Sequence, residues 1–328
     1  MRNVRGDRQP RGDGAPELGA PPSMSGPRPE SPGEHEPLGV AQLTTKQLAW
    51  RRFKRHRLAV ASAVALVLLT LACIILPFTT RYTYGGLDFG HEFEGPGSRH
   101  WLGTDVLGRD TFTRVFYAGR ISLAVALAAT VSAGILGTII GALAGFFGGV
   151  ADAALMRTAD LFLAVPYLVV LLIVSTVFDA GLAGVVITLI LFLWMPTARV
   201  VRGVFLSLRE KEFVEAARAA GASNLRIMFS HMLPNAMGPV IVSVTLLIAT
   251  AILAESALSF LGFGIQPPTP TWGNMVADAR YSFFDVAWPM VMPGLAIAFT
   301  VLFVNLLGDG LRDALDPHQR LIQPAWWA

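Results

Sequence analysis

Side chains that could carry chemistry are sparse in this sequence, and within its apolar part the charged ones are concentrated in one stretch. Residues 211–235, KEFVEAARAAGASNLRIMFSHMLPN, interrupt a chain that is 53% hydrophobic and 15% charged. Strong helix formers with early acidic residues predict a short helix over 211–220, which Gly221 would end. Ser223 can cap a second helix, which we expect to stop before Pro234. The chemistry that suits this pattern is noncovalent contact with another surface.

The second of these helices has one apolar face, formed by Leu225, Met228, Phe229 and Met232. A segment resting on lipid headgroups would explain that face. It would not explain why Glu215-Ala216-Ala217 and Gly221 fall together at one turn. Small residues beside a turn allow another protein to approach closely, so we interpret the stretch as a docking element.

Sequence signatures of nucleotide hydrolysis and metal catalysis are absent. A phosphate-binding loop needs Gly-x4-Gly-Lys followed by Ser or Thr, but the three lysines, Lys46, Lys54 and Lys211, do not follow a glycine. There is no HExxH, CxxC or GxSxG, and HEFE at 91–94 lacks a second ligand at helical spacing. We therefore expect no catalytic residue, no metal site and no cofactor on this chain.

Apolar runs dominate the chain after its N-terminal tail. Residues 1–45 contain eight Pro and seven Gly and no apolar run, so they predict a disordered tail. A helix needs about 20 apolar residues to cross a bilayer. The sequence predicts an all-α, multi-pass protein of the cytoplasmic membrane with six transmembrane helices, at roughly 58–77, 120–147, 159–178, 181–201, 237–258 and 286–307.

Basic residues near the ends of the spans predict the orientation of the chain. RRFKRHR at 51–57 precedes the first span, which places the N-terminus in the cytoplasm and anionic lipid headgroups beside it. Alternation then places 202–236 and the C-terminus inside, and 78–119 and 259–285 outside. The five basic residues within 202–236 agree with this arrangement. No basic and aromatic cluster indicates nucleic-acid binding.

Two features inside the spans have more than one interpretation. Gly137, Gly141, Gly145 and Gly149 recur every four residues and predict a helix face without side chains. That face either packs within this subunit, which we favour, or lies near a subunit interface or moving pathway. Glu255 is either a structural hydrogen-bond acceptor or part of a water-filled pathway. The single cysteine, Cys73, lies in an apolar run and predicts a small buried residue.

Four stretches, in order along the chain, resemble one protein family. Glu215-Ala216-Ala217, Gly221 and Leu233-Pro234 resemble the EAA loop of ATP-binding-cassette importer permeases, at that family's spacing. His231 stands where many such loops carry Ile, as is usual in the peptide-permease branch. The other three stretches resemble the C-type subunit of dipeptide and oligopeptide permeases: HWLGTDVLGRDTFTRVFYAGRISL (100–123), ESALSFLGFGIQPPTPTWGNM (255–275) and GDGLRDALDP (308–317). Phe112 and Thr113 stand where that subunit more usually has Leu and Ser.

The resemblance implies a type I ABC importer permease fold over about residues 46–320. It implies that residues 211–234 dock into a cytoplasmic ATPase subunit, with ATP and Mg²⁺ held by the partner subunits. The implied coupling residues are Glu215, Ala216, Ala217, Gly221, His231, Leu233 and Pro234. The domain organisation would be a disordered cytoplasmic tail (1–45), a first span with its extracytoplasmic loop (46–118), a permease core (119–309) and a cytoplasmic C-terminal tail (310–328).

The implied partners are a B-type permease subunit, two cytoplasmic ATPase subunits and an extracytoplasmic substrate-binding protein. The implied function is ATP-driven import of dipeptides or oligopeptides, with nickel chelates or glutathione as alternative substrates. A self-contained ion-coupled transporter and a noncatalytic membrane scaffold or receptor are the other hypotheses. The scarcity of ionisable residues inside the spans counts against the ion-coupled carrier, and a scaffold leaves the EAA pattern unexplained.

Overall fold

The computed structural model describes residues 45–178 and 181–316, so the tail predicted at 1–45 lies outside it except for Thr45. Within the described residues the chain is helical and forms no strand; its one β-bridge joins Thr104 and Asp110. The elements are α1 (Thr45–Arg55), α2 (Arg57–Thr79), α3 (Thr111–Phe147), α4 (Gly149–Leu163), α5 (Tyr167–Ser175), α6 (Leu182–Arg209), α7 (Glu212–Ala219), α8 (Asn224–Arg226), a π-helical turn (Ile227–Met232), α9 (Leu233–Phe260), α10 (Trp272–Ala279) and α11 (Trp288–Leu315).

Five helices of the described chain are long and apolar enough to cross a membrane, and α4 with α5 makes a sixth when the bent pair counts as one span. The five are α2, α3, α6, the continuous helix Asn224–Phe260 and α11. The prediction of an all-α protein with six apolar spans is confirmed in this sense.

The third predicted span, 159–178, is not one straight helix. The chain forms α4, turns by 90° and continues as α5. The N–H of Ala164 makes the last bond of α4, to the Asp160 carbonyl at 3.0 Å. Pro166 follows, and it has no N–H and disfavours helical geometry at Val165. Hydropathy counts apolar residues whatever their direction, so it could not locate this bend.

Several helices extend beyond the apolar runs that predicted them. α3 begins at Thr111, nine residues before the predicted span, because the Asp110 carboxylate caps it by accepting the Thr113 N–H at 2.7 Å. α11 continues to Leu315, into the predicted C-terminal tail. The first turn of α3 and the last turn of α11 contain polar residues, so these helices are longer than their apolar runs.

The glycine row in α3 lies against α6. A Cβ on Gly137 would meet the Trp194 carbonyl, and one on Gly141 would lie 2.8 Å from Cβ of Val201. A Cβ on Gly145 would lie 2.6 Å from Cβ of Phe205, so the absence of side chains lets two backbones touch. The predicted fourth member, Gly149, does not belong to this row, because α3 ends at Phe147 and Gly149 starts α4.

Candidate functional site

The predicted docking element begins with α7, whose C-terminal end is closed by a Schellman motif. Gly221 adopts a left-handed conformation, with φ of +76°, that L-residues rarely take. Its N–H donates to the Arg218 carbonyl at 3.0 Å, and the Ala222 N–H donates to the Ala217 carbonyl at 3.1 Å. Ser223 then caps the next helix by accepting the Arg226 N–H at 3.4 Å. The helix, glycine turn and second helix predicted from sequence are all present.

Val214, with the half-buried Ala217, packs α7 against the bundle. Val214 is fully buried in an apolar cluster with Phe146 at the end of α3, Phe205 near the end of α6 and Met228 in the π turn. Because this cluster joins α7 to two long helices, a force applied to α7 acts directly on both. The other side of α7 is open, with Glu215 and Ala216 exposed, whereas Ala217 is half-buried and packs against the same cluster as Val214.

The predicted apolar face of the second helix is only partly correct. Met228 and Met232 are buried, together with Ile227, which was not assigned to that face. Leu225 and Phe229 are 64% and 48% exposed. The π turn explains the difference, since its wider spiral changes which residues share a face. The exposed Leu225 and Phe229 add apolar area to the surface that α7 presents, which the helical pattern alone could not reveal.

The helix also does not stop before Pro234. The Leu233 N–H donates to the Met228 carbonyl, five residues back, so the π turn leads directly into α9. Pro234 therefore lies in the first turn of α9, where its missing N–H costs little. Helix 224–260 is continuous as a result. His231 and Leu233 are half-buried in this transition, Pro234 is exposed, and the His231 carbonyl accepts a hydrogen bond from Asn235 at 2.7 Å.

Glu255 lies near the far end of that helix, fully buried. Its carboxylate accepts hydrogen bonds from the hydroxyls of Ser259 at 2.8 Å and Ser122 at 3.1 Å. Ser122 in turn accepts the backbone N–H of Trp272 at 3.2 Å. Glu255 thus joins α3, α9 and α10, which supports its interpretation as a structural acceptor within this chain.

Replacement of Glu255 separates its two interpretations. We expect Glu255→Gln to keep both hydroxyl donors paired and to leave thermal stability near that of the wild type. Glu255→Ala leaves those donors without an acceptor and is expected to cost about 1–3 kcal/mol of unfolding free energy. Thermal unfolding of the purified chain measures this difference. A Glu255→Gln variant that folds normally but transports poorly in the assembled system would instead favour the pathway interpretation.

Ion pairs between α4 and α6 were not identified from sequence. Arg202 pairs with Asp152 through two hydrogen bonds, of which the one from Nη2 is 2.6 Å, and Arg199 Nη2 pairs with Asp160 at 2.5 Å. These pairs hold α4 against the α6 end that carries α7. The sequence shows each charge but not the bend that brings α4 back onto α6.

A second group of charges lies at the N-terminal end of α3. Arg109 and Arg114 each pair with both Asp105 and Asp278. Nε of Arg109 is 2.6 Å from Asp105, and Nη2 of Arg109 is 3.4 Å from Asp278. Arg114 is 3.4 Å from Asp105 and is almost fully buried. The group ties residues 80–110 and α10 to the start of α3. Its members Asp105, Arg109 and Arg114 fall in the 100–123 motif, so the motif located the residues without indicating their pairing.

The HEFE segment has a local structural role. His91 pairs with Asp88 at 3.0 Å, and the Glu92 carboxylate accepts the Gly90 N–H at 3.0 Å. Hydrogen bonds from the backbone N–H groups of Glu92 and Gly90 hold the pKa of Glu92 below its usual value. Across residues 45–178 and 181–316 there is no group of three His, Cys, Asp or Glu side chains that could hold a metal ion.

Comparison with known proteins places the chain among transport permeases. Residues 137–321 match the family "Binding-protein-dependent transport system inner membrane component", and residues 44–96 match "N-terminal TM domain of oligopeptide transport permease C". The chain is 37% identical over 300 residues to the oligopeptide transport system permease protein OppC of Bacillus subtilis, covering 92% of this chain and 98% of the relative.

Two further relatives have similar identity. The OppC protein of Mycobacterium tuberculosis (strain H37Rv) is 42% identical over 280 residues, which is 85% of this chain and 96% of the relative. The glutathione transport system permease protein GsiD of Escherichia coli O6:K15:H31 is 41% identical over 269 residues, covering 82% of this chain and 89% of the relative.

Proposed function

The chain belongs to the family of binding-protein-dependent transport system inner membrane components, and from this membership we propose that it is the peptide-translocating membrane subunit of an ATP-driven importer. As an ABC permease it is a multi-pass membrane protein. The observation that carries the finer proposal is α7, which exposes Glu215 and Ala216 while Val214 anchors it beneath. Such a helix can receive a partner on one side and pass its movement to the spans on the other.

In this proposal a cytoplasmic ATPase subunit docks on α7 and the turn that follows it. Glu215 makes a polar contact with the ATPase, and Ala216, Ala217 and Gly221 allow its surface to come close. A Cβ built on Gly221 would meet no atom of residues 45–178 or 181–316 within 4 Å, so these residues leave the space beside the turn free for a partner. His231, Leu233 and Pro234 form the connection into α9. ATP and Mg²⁺ bind to the ATPase subunits.

Movement reaches the spans through the Val214 cluster. Because that cluster packs α7 against the ends of α3 and α6, displacement of α7 shifts helices already in close contact along the glycine row. Coupling between ATP binding and the transport pathway is then reciprocal, so an open or closed pathway also changes the affinity of the ATPase for nucleotide.

The complete importer needs further subunits. We propose a B-type permease as the second half of the pathway, two ATPase subunits, and a substrate-binding protein on the outer face. Residues 80–110 and the 261–287 connection, joined by the Arg109–Asp278 ion pair, provide an ordered surface for that binding protein. Lipid surrounds the spans.

The proposed substrates are dipeptides or oligopeptides, because two of the relatives described above are oligopeptide permeases. Glutathione, itself a short peptide, is the alternative, supported by the 41% identity to a glutathione permease. Measured uptake of labelled dipeptide, pentapeptide and glutathione by the assembled importer distinguishes these substrates.

Charge reversal on α7 tests the docking proposal. We expect Glu215→Lys to weaken retention of the ATPase subunits by more than about tenfold, since a reversed charge in a close contact is repelled. Gly221→Arg should do the same by filling the space beside the turn, and Gly221→Ala separates that effect from backbone strain at positive φ. The measurement is co-purification of ATPase subunits with the tagged permease, together with substrate uptake.

The matched control is Glu210→Lys, which makes the same charge change at an exposed residue before α7. It should retain the ATPases and transport normally. Unchanged uptake and unchanged ATPase retention in Glu215→Lys and Gly221→Arg would contradict the proposal. Gradient-driven uptake by the purified chain alone would favour the ion-coupled alternative.

A further inference from the structure

A cavity of about 400 Å³ lies where α2 ends, lined in part by Thr79, Arg81, Ser98, Trp101 and Phe112. The Thr113 hydroxyl in the first turn of α3 lies 3.0 Å from the Thr80 hydroxyl, so the end of α2 is level with the start of α3. The other end of α3 packs on the Val214 cluster. The cavity is therefore at the opposite end of the bundle from α7.

One cation at this cavity is uncompensated. Arg99 is paired with Asp88 at 3.0 Å, and the Asp110 carboxylate is occupied by His100 at 2.9 Å and by Thr113. Arg81, in contrast, is exposed and makes no hydrogen bond or ion pair with any residue in the described part of the chain. The cavity can therefore accept an anion at Arg81.

A second cation, Arg120 of α3, extends toward the same end of α2. Gly119 is level with Cys73, since a Cβ on Gly119 would lie 2.5 Å from the Cys73 sulfur. The guanidinium of the next residue, Arg120, lies 5.6 Å from the ring centroid of Phe78, five residues nearer the end of α2. Arg120 thus extends along α2 toward the cavity end, as cationic side chains do when they reach for the membrane surface. It has no carboxylate partner within the described residues.

An apolar stripe on α2 leads up to these cations. Its members recur every three or four residues and are exposed: Val64, Val67, Leu68, Leu71, Ile74, Ile75 and Phe78. Phe78 is 74% exposed, and Trp101 at the cavity is 64% exposed. Aromatic side chains at the end of a lipid-facing stripe mark the level of the lipid headgroups. A ligand with an acyl chain and an anionic head would match both features.

We propose that the end of α2 binds an anionic phospholipid from the leaflet on that side of the membrane. Its phosphate lies in the cavity beside Arg81, its glycerol region lies near Arg120 and Phe78, and an acyl chain follows the α2 stripe. The two uncompensated cations favour phosphatidylglycerol over phosphatidylcholine, whose own cation would be repelled. This lipid site is separate from the basic cluster at 51–57, which lies at the other end of α2.

The test is photo-crosslinking of the purified full-length chain with a phosphatidylglycerol analogue that carries a diazirine in its acyl chain. We expect crosslinked peptides from residues 64–78, at a yield about tenfold above that of the matching phosphatidylcholine analogue. The Arg81→Gln/Arg120→Gln double variant should lose this difference. Arg280→Gln, an exposed arginine in the 261–287 connection, is the control and should leave it unchanged.

Three results would overturn the proposal. They are equal yields from the two lipid analogues in the wild type, an unchanged yield in the double variant, and complete competition by the headgroup without acyl chains. The last result would assign the cavity to a soluble anion. Because crosslinking needs neither ATP nor partner subunits, failure here leaves the proposed docking of the ATPase on α7 unaffected.

Discussion

Gly141→Leu is expected to lower the thermal stability of the purified chain by roughly 5–10 °C, through a cost of about 1–3 kcal/mol or more. A Cβ at this position already meets the Ala198 carbonyl and lies 2.8 Å from Cβ of Val201. The contact is with helix backbone, which cannot move aside as a flexible side chain can, so α3 and α6 must separate. Because both helices pack against Val214, their separation should also reduce transport in the assembled importer.

Gly203→Leu is the matched control for this change. Gly203 is an exposed residue of α6, and a Cβ built on it would meet no atom within 4 Å in the part of the chain that the structure describes. The same substitution there should leave the stability of the isolated chain unchanged. Thermal unfolding can be followed with a thiol-reactive fluorogenic dye, because the chain has one cysteine and Cys73 is buried until the bundle opens. Equal transition temperatures for the two variants would mean that α3 and α6 do not depend on the glycine contact.

Trp272→Ala is expected to cost about 3–5 kcal/mol, the usual effect of truncating a fully buried aromatic side chain. Trp272 is completely buried, and its indole N–H donates to the Val115 carbonyl at 2.9 Å. Its ring also packs in the apolar cluster that contains Cys73. The variant should therefore increase the rate at which Cys73 reacts with the dye below the unfolding temperature as well as lowering that temperature.

Phe284→Ala provides the comparison, since Phe284 is 96% exposed in the connection between α10 and α11. We expect its Cys73 reactivity and transition temperature to match those of the wild type. Faster Cys73 labelling in Phe284→Ala than in Trp272→Ala would show that α10 is not held by the buried tryptophan.

The spans and the helix–turn–helix that begins with α7 could be predicted from sequence because each depends on a local pattern. An apolar run of about 20 residues has few alternatives to a helix in lipid. Gly221 and Ser223 mark a turn for reasons that lie in their own backbone and side chain. The same holds for the three glycines that pack on α6. The same spacing wrongly includes Gly149, because spacing alone does not show that α3 ends at Phe147.

The features that could not be predicted depend on long-range geometry. The burial of Glu255 by Ser122 and Ser259 requires that α3 and α9 meet at that level. The bend between α4 and α5 places Asp152 beside Arg202, fifty residues away in sequence. The π turn shifted the buried face to Ile227 and exposed Leu225, and nothing in the apolar spacing distinguishes a π turn from an α turn.

The continuous helix 224–260 connects the α7 end of the bundle to the Glu255 site without a break. At 1.5 Å per residue its 37 residues span about 55 Å, and Glu255 lies about 47 Å from its first residue. The first residues of this helix are part of the proposed ATPase contact. Near its other end, Glu255 accepts a hydrogen bond from Ser122, which in turn accepts the Trp272 N–H of α10. A displacement of the helix at residue 224 is therefore transmitted to Glu255 without crossing a loop. Under the proposed docking, the π turn lies between the ATPase contact and the rest of this helix, so a displacement of the docked end has to pass through the π turn.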